Sequence, residues 1–148
     1  MAYNESRRGF QRGGQPQSTL PEKYLEGGYF DSTAKEARPV LRREYIIGYP
    51  AKIAQALEDR EKNKSSQLRK FYDYCIRIRD MLDRGQSFRE VESDFCRLAA
   101  FAKYAESRSK VSSLFVEFIQ KNVNAIRSKE DFYAFLKHFE AVIAYIKK

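Results

Sequence analysis

The sequence predicts an all-α protein, a compact antiparallel bundle of about five helices that follows an irregular N-terminal lead-in. The first observation is where the helix-breaking residues fall. All four prolines and six of the seven glycines lie within the first 50 residues, and Gly85 is the exception. The second observation is that apolar residues after residue 50 recur every three or four positions, as on one face of a helix, and no stretch alternates as a strand does. Short connections between such helices favour antiparallel neighbours.

The first two helices follow from their end signals. A helix is predicted over 51–61, because Pro50 suits a first turn. Ser65 or Ser66 is expected to cap a second helix that ends at Arg84, beside the one late glycine. The residues predicted on the buried faces of these helices are Ile53, Ala54, Leu57, Leu68, Phe71, Cys75, Ile78 and Leu82.

Three further helices complete the predicted bundle. Ser87 and Glu90 have the spacing of a capping box and open a third helix that runs to about Arg108. A fourth helix covers roughly 111–127, and a fifth begins after Ser128. Their predicted buried faces comprise Phe88, Val91, Phe95, Leu98, Ala102, Ala105, Val111, Phe115, Phe118, Ile119, Ile126, Phe132, Phe135, Leu136, Phe139, Val142, Ile143 and Ile146.

The chain is expected to form one domain with a tail. Its 148 residues can bury a core without a disulfide or a metal. A flexible Arg/Gly-containing tail is predicted over 1–22, followed by a helical domain over 23–148. Within the tail, Arg8–Phe10 and Arg12–Gly14 resemble fragments of RGG sequence that can bind RNA, although a solvated disordered tail is the favoured interpretation. The absence of a long apolar run or a signal peptide predicts a cytoplasmic protein without membrane contact.

The residue inventory argues against catalysis. There is no phosphate-binding glycine loop, and the single histidine, His138, lies off the main apolar stripe, where a surface or partner-facing position is expected. Cys75 and Cys96 cannot form a Cys/His zinc site from one chain and are both expected to be reduced and buried. We therefore predict no enzymatic activity, no catalytic residue, no metal and no cofactor.

The charge balance favours a polyanionic partner. Twenty-eight Lys and Arg residues against 20 acids give a net charge of +8. Lys64, Arg69 and Lys70 surround the predicted start of the second helix, where free N–H groups suit a phosphate. A capped helix with solvated charges is the alternative at this position.

A second set of cations repeats every seven residues. Lys70, Arg77 and Arg84 share one edge of the second helix, but Asp73 and Asp80 stand four residues before the two arginines. That spacing predicts ordinary ion pairs on a solvated face, which makes this row only moderately specific.

The third helix carries the most informative pattern. Arg97, Phe101, Tyr104 and Arg108 share the side opposite its apolar stripe. Two aromatic rings between two arginines could stack bases and hold phosphates. The favoured alternative is a second packing face, with the aromatic residues against a neighbouring helix and the arginines at its rim.

Four short stretches occur in an order that resembles a known family. They are Gly27–Asp31, Ser66–Tyr72, Ala102–Arg108 and Phe139–Tyr145. Together they resemble the small subunit of the type III-A CRISPR effector, the Csm complex, over roughly residues 24–148. The third stretch departs from the family pattern because it has Glu and Ser where a small residue and glycine are usual before the arginine, which indicates a longer helix here.

The resemblance implies a non-catalytic structural subunit. Such proteins stack in several copies along the inner filament of the complex, beside the crRNA and its target RNA, and contact the RNA backbone rather than the bases. It implies as partners crRNA, target RNA, other Csm subunits and further copies of the chain. The resemblance supports Lys64, Arg69, Lys70 and Arg108 as RNA-binding residues, and the helix patterns add Arg77 and Arg97 to the predicted set. A generic helical nucleic-acid-binding protein and a protein–protein scaffold, both outside CRISPR, remain alternatives.

Overall fold

A computed structural model describes residues 19–147 of the protein. Within these residues there are five α-helices and no strand. Their bounds are α1 Tyr49–Leu57, α2 Ser65–Asp83, α3 Phe88–Ser107, α4 Ser113–Ala125 and α5 Lys129–Tyr145. The predicted all-α bundle is therefore confirmed. The RGG-like fragments of the predicted tail lie outside the described residues.

Helix α5 holds the bundle together by packing against both α1 and α2, while α3 packs against α2 and α4. Every residue predicted on a buried face is buried except Phe88 and Ile146, which are partly exposed. The centre of the core consists of fully buried phenylalanines: Phe95, Phe115, Phe118, Phe132, Phe135 and Phe139. Burial of this apolar surface is the main force that closes the bundle.

Helix α1 ends at Leu57, four residues before the predicted end. The reason is local. The side chain of Asp59 accepts hydrogen bonds from the N–H groups of Glu61 and Lys62 at 2.8 and 2.9 Å, which offers the backbone a turn instead of a further helical turn. The chain then reaches Asn63 with a positive φ of 59°.

The start of α2 also differs from the prediction. Neither Ser65 nor Ser66 caps the helix; Lys64 is the N-cap residue and its side chain makes no capping bond. The buried residue before it fixes this position, because Asn63 donates to the carbonyl of Leu57 at 2.9 Å and accepts from the N–H of Ser112 at 2.9 Å. A tertiary contact, rather than a local cap, thus sets where α2 begins.

The remaining helix ends follow their sequence signals. The capping box of Ser87 and Glu90 is present. At the end of α2, Gly85 has a φ of 106° and donates to Leu82, while the next N–H, that of Gln86, donates to Met81. These two bonds form a Schellman motif, which needs a left-handed residue and so explains the glycine. Helix α3 runs to Ser107, one residue before the predicted end at about Arg108.

Three buried tyrosines fasten the lead-in to the bundle through one polar network. The Tyr29 hydroxyl donates to the side-chain oxygen of Asn122 at 2.7 Å, and the side-chain nitrogen of Asn122 donates to the Tyr24 hydroxyl at 3.0 Å. The Tyr24 hydroxyl contacts Nε2 of His138, whose Nδ1 lies 2.7 Å from the backbone oxygen of Tyr45. Because a carbonyl oxygen only accepts, Nδ1 carries the proton and Nε2 accepts from Tyr24.

The predicted surface position of His138 is therefore wrong. The residue is fully buried, because the lead-in covers the side of α5 that lies off the main apolar stripe. Burial lowers the pKa of His138 to about 4, against the opposing effect of its hydrogen bond to the Tyr45 carbonyl. The imidazole is a neutral structural element.

The two cysteines occupy different environments, so the prediction that both are buried is half wrong. Cys75 is fully buried in the core, whereas Cys96 is exposed. Cys96 follows Phe95 directly and is thus turned about 100° away from the apolar stripe of α3.

Within the described residues, no helix is both long and apolar enough to cross a bilayer.

Candidate nucleic-acid interface

Four of the six predicted RNA-binding residues lie on one side of the bundle. Lys70 and Arg77 belong to α2, and Arg97 and Arg108 belong to α3 or its C-cap. All four side chains are exposed. The short connection between the two helices makes them antiparallel neighbours, so the N-terminal half of α2 faces the C-terminal half of α3.

A groove of about 330 Å³ runs between these two helices. We refer to it as the α2–α3 groove. Its lining residues are Gln67, Lys70, Phe71, Tyr74, Arg77, Phe101, Tyr104 and Ala105. The groove thus combines aromatic rings with two cations, one near each end of the lined segment of α2.

The floor of the groove is a pair of aromatic rings. Tyr74 and Phe101 pack edge to face with their ring centroids 5.2 Å apart. The Tyr74 hydroxyl donates to the backbone oxygen of Asp94 at 2.8 Å, which fixes the orientation of its ring. The packing interpretation of the third-helix aromatic residues therefore holds for Phe101. It does not hold for Tyr104, whose side chain is 63% exposed.

Each of the three arginines on this side lies over an aromatic ring. The guanidinium carbon of Arg77 is 5.5 Å from the ring centroid of Tyr74. The corresponding distance is 5.1 Å from Arg97 to Phe101 and 5.7 Å from Arg108 to Tyr104. Such contacts hold the long side chains at the groove while their N–H groups stay available to an anion.

No carboxylate neutralises these cations. In the part of the chain that the structure describes, none of Lys70, Arg77, Arg97 and Arg108 forms an ion pair. Elsewhere on the described surface, some cations form ion pairs with acidic residues, namely Arg42, Arg79, Arg89, Lys103 and Lys147, whereas others, such as Lys64 and Arg69, do not.

The ion pairs predicted along α2 do not form in the described structure. Arg77 lies over Tyr74 instead of contacting Asp73, and Asp80 contacts Arg79 at 3.5 Å. The charge of Arg97 also reaches the groove floor: burial raises the pKa of Tyr74, and the nearby Arg97 charge opposes that rise. The charge of Asp94 acts on the Tyr74 pKa in the opposite direction, while the two cations that line the groove, Lys70 and Arg77, form no ion pair in the described structure.

The other two predicted residues lie apart from the groove lining. Lys64 lines a separate cavity of about 480 Å³ that includes both cations and acids, among them Arg60, Asp59 and Lys147. Its ammonium group donates to the carbonyl of Arg60 at 3.4 Å. Arg69 is exposed and precedes Lys70, so it projects about 100° away from it around α2.

The sequence interpretation missed Tyr74 as part of this surface. Its partners Phe101 and Asp94 lie on another helix, so no local pattern shows that its ring forms the groove floor. One signal was present. Tyr74 stands four residues after Lys70 and three before Arg77, the spacing of one helix face.

The groove suits binding rather than bond-breaking chemistry. Its polar groups are cations, phenols and the amide of Gln67, which bind anions and aromatic faces. Among the described side chains, no three His, Cys, Asp or Glu residues come together as a metal site requires. The one imidazole is buried at a distance from this surface, in the network with the lead-in tyrosines.

Comparison with known proteins gives one match. The family model described as Csm2 Type III-A matches residues 41–148, which include all five helices and the α2–α3 groove. The first stretch of the resemblance, Gly27–Asp31, lies before the matched region. No curated protein and no solved structure matches the chain.

Proposed function

Since the chain belongs to the Csm2 Type III-A family and is thus a subunit of a CRISPR Csm effector complex, we propose that it is the RNA-binding, non-catalytic subunit that lines the inner filament of this complex. In this role it lies beside crRNA and target RNA in the cytoplasm, next to other Csm subunits and further copies of itself, and serves antiviral defence. The RNA surface is the side that carries Lys70, Arg77, Arg97 and Arg108.

One observation carries the proposal. Lys70 and Arg77 line the groove, Arg97 and Arg108 lie over two of its lining rings, and none of these four cations is paired with a carboxylate in the described structure. An unpaired cation gains by meeting a phosphate because the contact releases a condensed counterion from the RNA. Cations that already have acidic partners lose that ion pair on binding. The α2–α3 side combines such unpaired cations with aromatic rings, which supports its assignment to an RNA backbone.

The same geometry favours binding that ignores base sequence. Arginine and lysine side chains that meet phosphates position an RNA without reading its bases. Stacking on aromatic rings is also tolerant of sequence, since every base has a π-face. A structural subunit that must accept any guide and target needs this indifference.

The groups in the groove also support a non-catalytic role. Its side chains are cations, phenols and an amide, and the neutral imidazole of His138 already makes a hydrogen bond with each ring nitrogen inside the core. Cleavage of RNA by general acid–base chemistry needs groups that exchange protons at the reacting atoms. We propose that the chain positions RNA for chemistry performed elsewhere in the complex.

The test removes two groove cations and compares the result with a charge-matched control. In Arg77→Ala/Arg108→Ala, the affinity for a short single-stranded RNA should fall, and the slope of log affinity against log salt should drop by about 0.7 for each phosphate that the variant no longer neutralises. The control, Lys52→Ala/Lys121→Ala, removes two exposed cations from α1 and α4 and should leave both quantities near wild type. Melting temperatures of both variants verify the fold.

Two results would contradict the proposal. Equal losses in the groove variant and the control would show that binding follows net charge and not this surface. A wild-type protein that binds acidic proteins but no RNA would favour a protein–protein scaffold.

A further inference from the structure

We propose that the α2–α3 groove holds one unpaired nucleotide, with its base stacked on Tyr104 and its flanking phosphates on Lys70 and Arg77. The inference rests on the proposed RNA-binding function and deepens it, because it assigns single-stranded rather than duplex RNA to this groove. Its basis is an exposed aromatic ring of α3 that lines the groove together with two cations of α2.

The ring of Tyr104 is exposed to solvent and is held in position by its contact with Arg108. Its side chain is 63% exposed, more than any other large hydrophobic residue in the described structure. The guanidinium of Arg108 lies over the ring, 5.7 Å from its centroid, and donates to the phenol oxygen at 3.3 Å. This contact fixes the ring before any ligand arrives, so less conformational entropy is lost on stacking.

The groove next to this ring has an aromatic floor. Tyr74 and Phe101 pack edge to face, and the bond from the Tyr74 hydroxyl to the Asp94 carbonyl holds the pair in place. The volume of about 330 Å³ is at the scale of a small-ligand cleft. An apolar floor, an exposed ring at the edge and polar groups at the rim match the two faces and polar edges of a nucleobase.

The spacing of the two groove cations suits the successive phosphates of an RNA strand better than one small anion. Lys70 and Arg77 are seven residues apart on α2, which places them about 10 Å apart along the helix axis. On α3, Tyr104 and Arg97 are separated by the same seven residues. Because Tyr74 packs on Phe101 and the two helices are antiparallel, Tyr104 lies near Lys70, and Arg77 lies further along the groove, so a strand whose base stacks on Tyr104 can place successive phosphates near Lys70 and Arg77.

The paired bases of an RNA duplex cannot stack on Tyr104. The faces of its internal bases are already covered by their neighbours, so only a base outside a stack can lie on an exposed ring. A duplex can contact the cations through its phosphates, but it gains nothing from Tyr104. Selectivity for single strands thus depends on one side chain.

The experiment measures the affinity of the full-length protein for a short single-stranded RNA, for the same RNA with abasic sites, and for its duplex. Wild type should bind the single strand most tightly. Tyr104→Leu should weaken single-strand binding at least about fivefold, leave duplex binding unchanged, and abolish the difference between normal and abasic RNA. Tyr104→Phe keeps the ring and should retain the preference. Tyr145→Leu, which removes another half-exposed tyrosine, is the matched control and should behave as wild type.

The outcomes separate this inference from the proposed function. Binding of single strand and duplex with equal affinity, unaffected by Tyr104→Leu, would overturn the stacking proposal and leave the phosphate contacts standing. Binding of neither RNA by wild type would overturn both. Both Tyr104 variants should keep the wild-type melting temperature, because exposed side chains contribute little to stability.

Discussion

Nδ1 of His138 lies 2.7 Å from the backbone oxygen of Tyr45, and this bond joins the last helix to a segment 93 residues earlier in the chain. The other ring nitrogen accepts a hydrogen bond from Tyr24, so the imidazole is satisfied on both sides while it is neutral. A protonated ring would carry a hydrogen on Nε2 as well and would clash with the Tyr24 hydroxyl unless that group turned. The hydrogen bonds that attach the lead-in to the last helix therefore require the neutral form of the His138 imidazole.

The first prediction concerns the titration of this ring. Burial lowers the pKa of His138 to about 4, so its NMR signals should not change between pH 8 and about pH 5. The measurement is simple because the chain has one histidine, which makes the imidazole signals unambiguous. A midpoint near 6.5, the ordinary value for histidine, would show that the ring is exposed and that the network does not form.

The second prediction is a loss of stability in mild acid. Because the pKa of His138 is about 4 in the folded protein and near 6.5 when unfolded, the unfolded chain takes up the proton first as the pH falls. The stabilisation that the neutral imidazole provides is complete above pH 6.5. It is lost as the pH falls from 6.5 to 4, which lowers the free energy of unfolding by about 3 kcal/mol in total. Urea unfolding at a series of pH values measures it.

A non-titrating variant is the control for this loss. His138→Gln should be less stable than wild type at neutral pH but should lack the slope between pH 6.5 and 4. The carboxylates of Asp31, Glu44 and Asp59, whose pKa values hydrogen bonds lower, begin to lose their own stabilisation at the acid end of this window, but the variant keeps them, so the difference between the two curves reports His138. An identical slope in the variant would assign the acid sensitivity to other groups.

The third prediction tests the anchor between α1, α2 and α4. Asn63 is buried and bonds to the Leu57 carbonyl and to both the N–H and the hydroxyl of Ser112. Asn63→Gly keeps a residue that tolerates the positive φ but removes these bonds, so it should lower the free energy of unfolding by about 2–3 kcal/mol. Asn124→Gly, at an exposed position within α4, is a control for the cost of replacing asparagine by glycine without loss of tertiary bonds, about 0.3 kcal/mol. Equal losses in the two variants would show that the side-chain bonds of Asn63 add nothing.

The helices were predictable because local rules decide them. The capping box of Ser87 and the glycine after α2 needed no tertiary information, and the apolar spacing identified nearly all of the core. The errors arose where distant contacts decide. Asn63 fixes the start of α2 by bonding to Ser112, and the lead-in buries His138, and neither contact leaves a periodic signal in the sequence.

The candidate site shows the same division. Arg97, Phe101, Tyr104 and Arg108 were predicted to share one helix face, and the structure shows two of these arginine–aromatic contacts on that face. That Tyr74 completes the groove depends on how α2 and α3 pack. Helix periodicity shows which residues share a face of one helix, but it does not show which residues of a neighbouring helix pack against that face. The groove between the two helices therefore emerges only from the tertiary structure, and its RNA contacts stay a prediction.

The fourth prediction distinguishes the two thiols. Cys96 is exposed, whereas Cys75 is buried and desolvation raises the pKa of its thiol strongly. A thiol reagent should therefore label one cysteine of the native protein, at position 96, and both after unfolding. Mass spectrometry of the labelled peptides identifies the sites. Rapid labelling of Cys75 under native conditions would contradict the packing between α2 and the rest of the core.

The fifth prediction separates the cations at the start of α2. Lys70 lines the α2–α3 groove, Arg69 projects about 100° away from it, and Lys64 lies in another cavity among acids. If the groove is the RNA surface, Lys70→Ala should weaken RNA binding and reduce the salt slope by about 0.7, while Lys64→Ala and Arg69→Ala should have smaller effects. The alternative is a phosphate held at the helix start by all three cations, since the helix has no side-chain cap there.

Comparison of the three single variants on the same RNA decides between these arrangements. Equal reductions in affinity and salt slope would favour a phosphate at the helix start. A reduction confined to Lys70→Ala would favour the groove. Normal binding by all three would exclude this end of α2 from the interface and leave Arg77, Arg97 and Arg108 as its only predicted cations. Each variant removes an exposed charge that forms no ion pair in the described structure, so all three should unfold at the wild-type temperature, and a change in affinity reports on RNA contact alone.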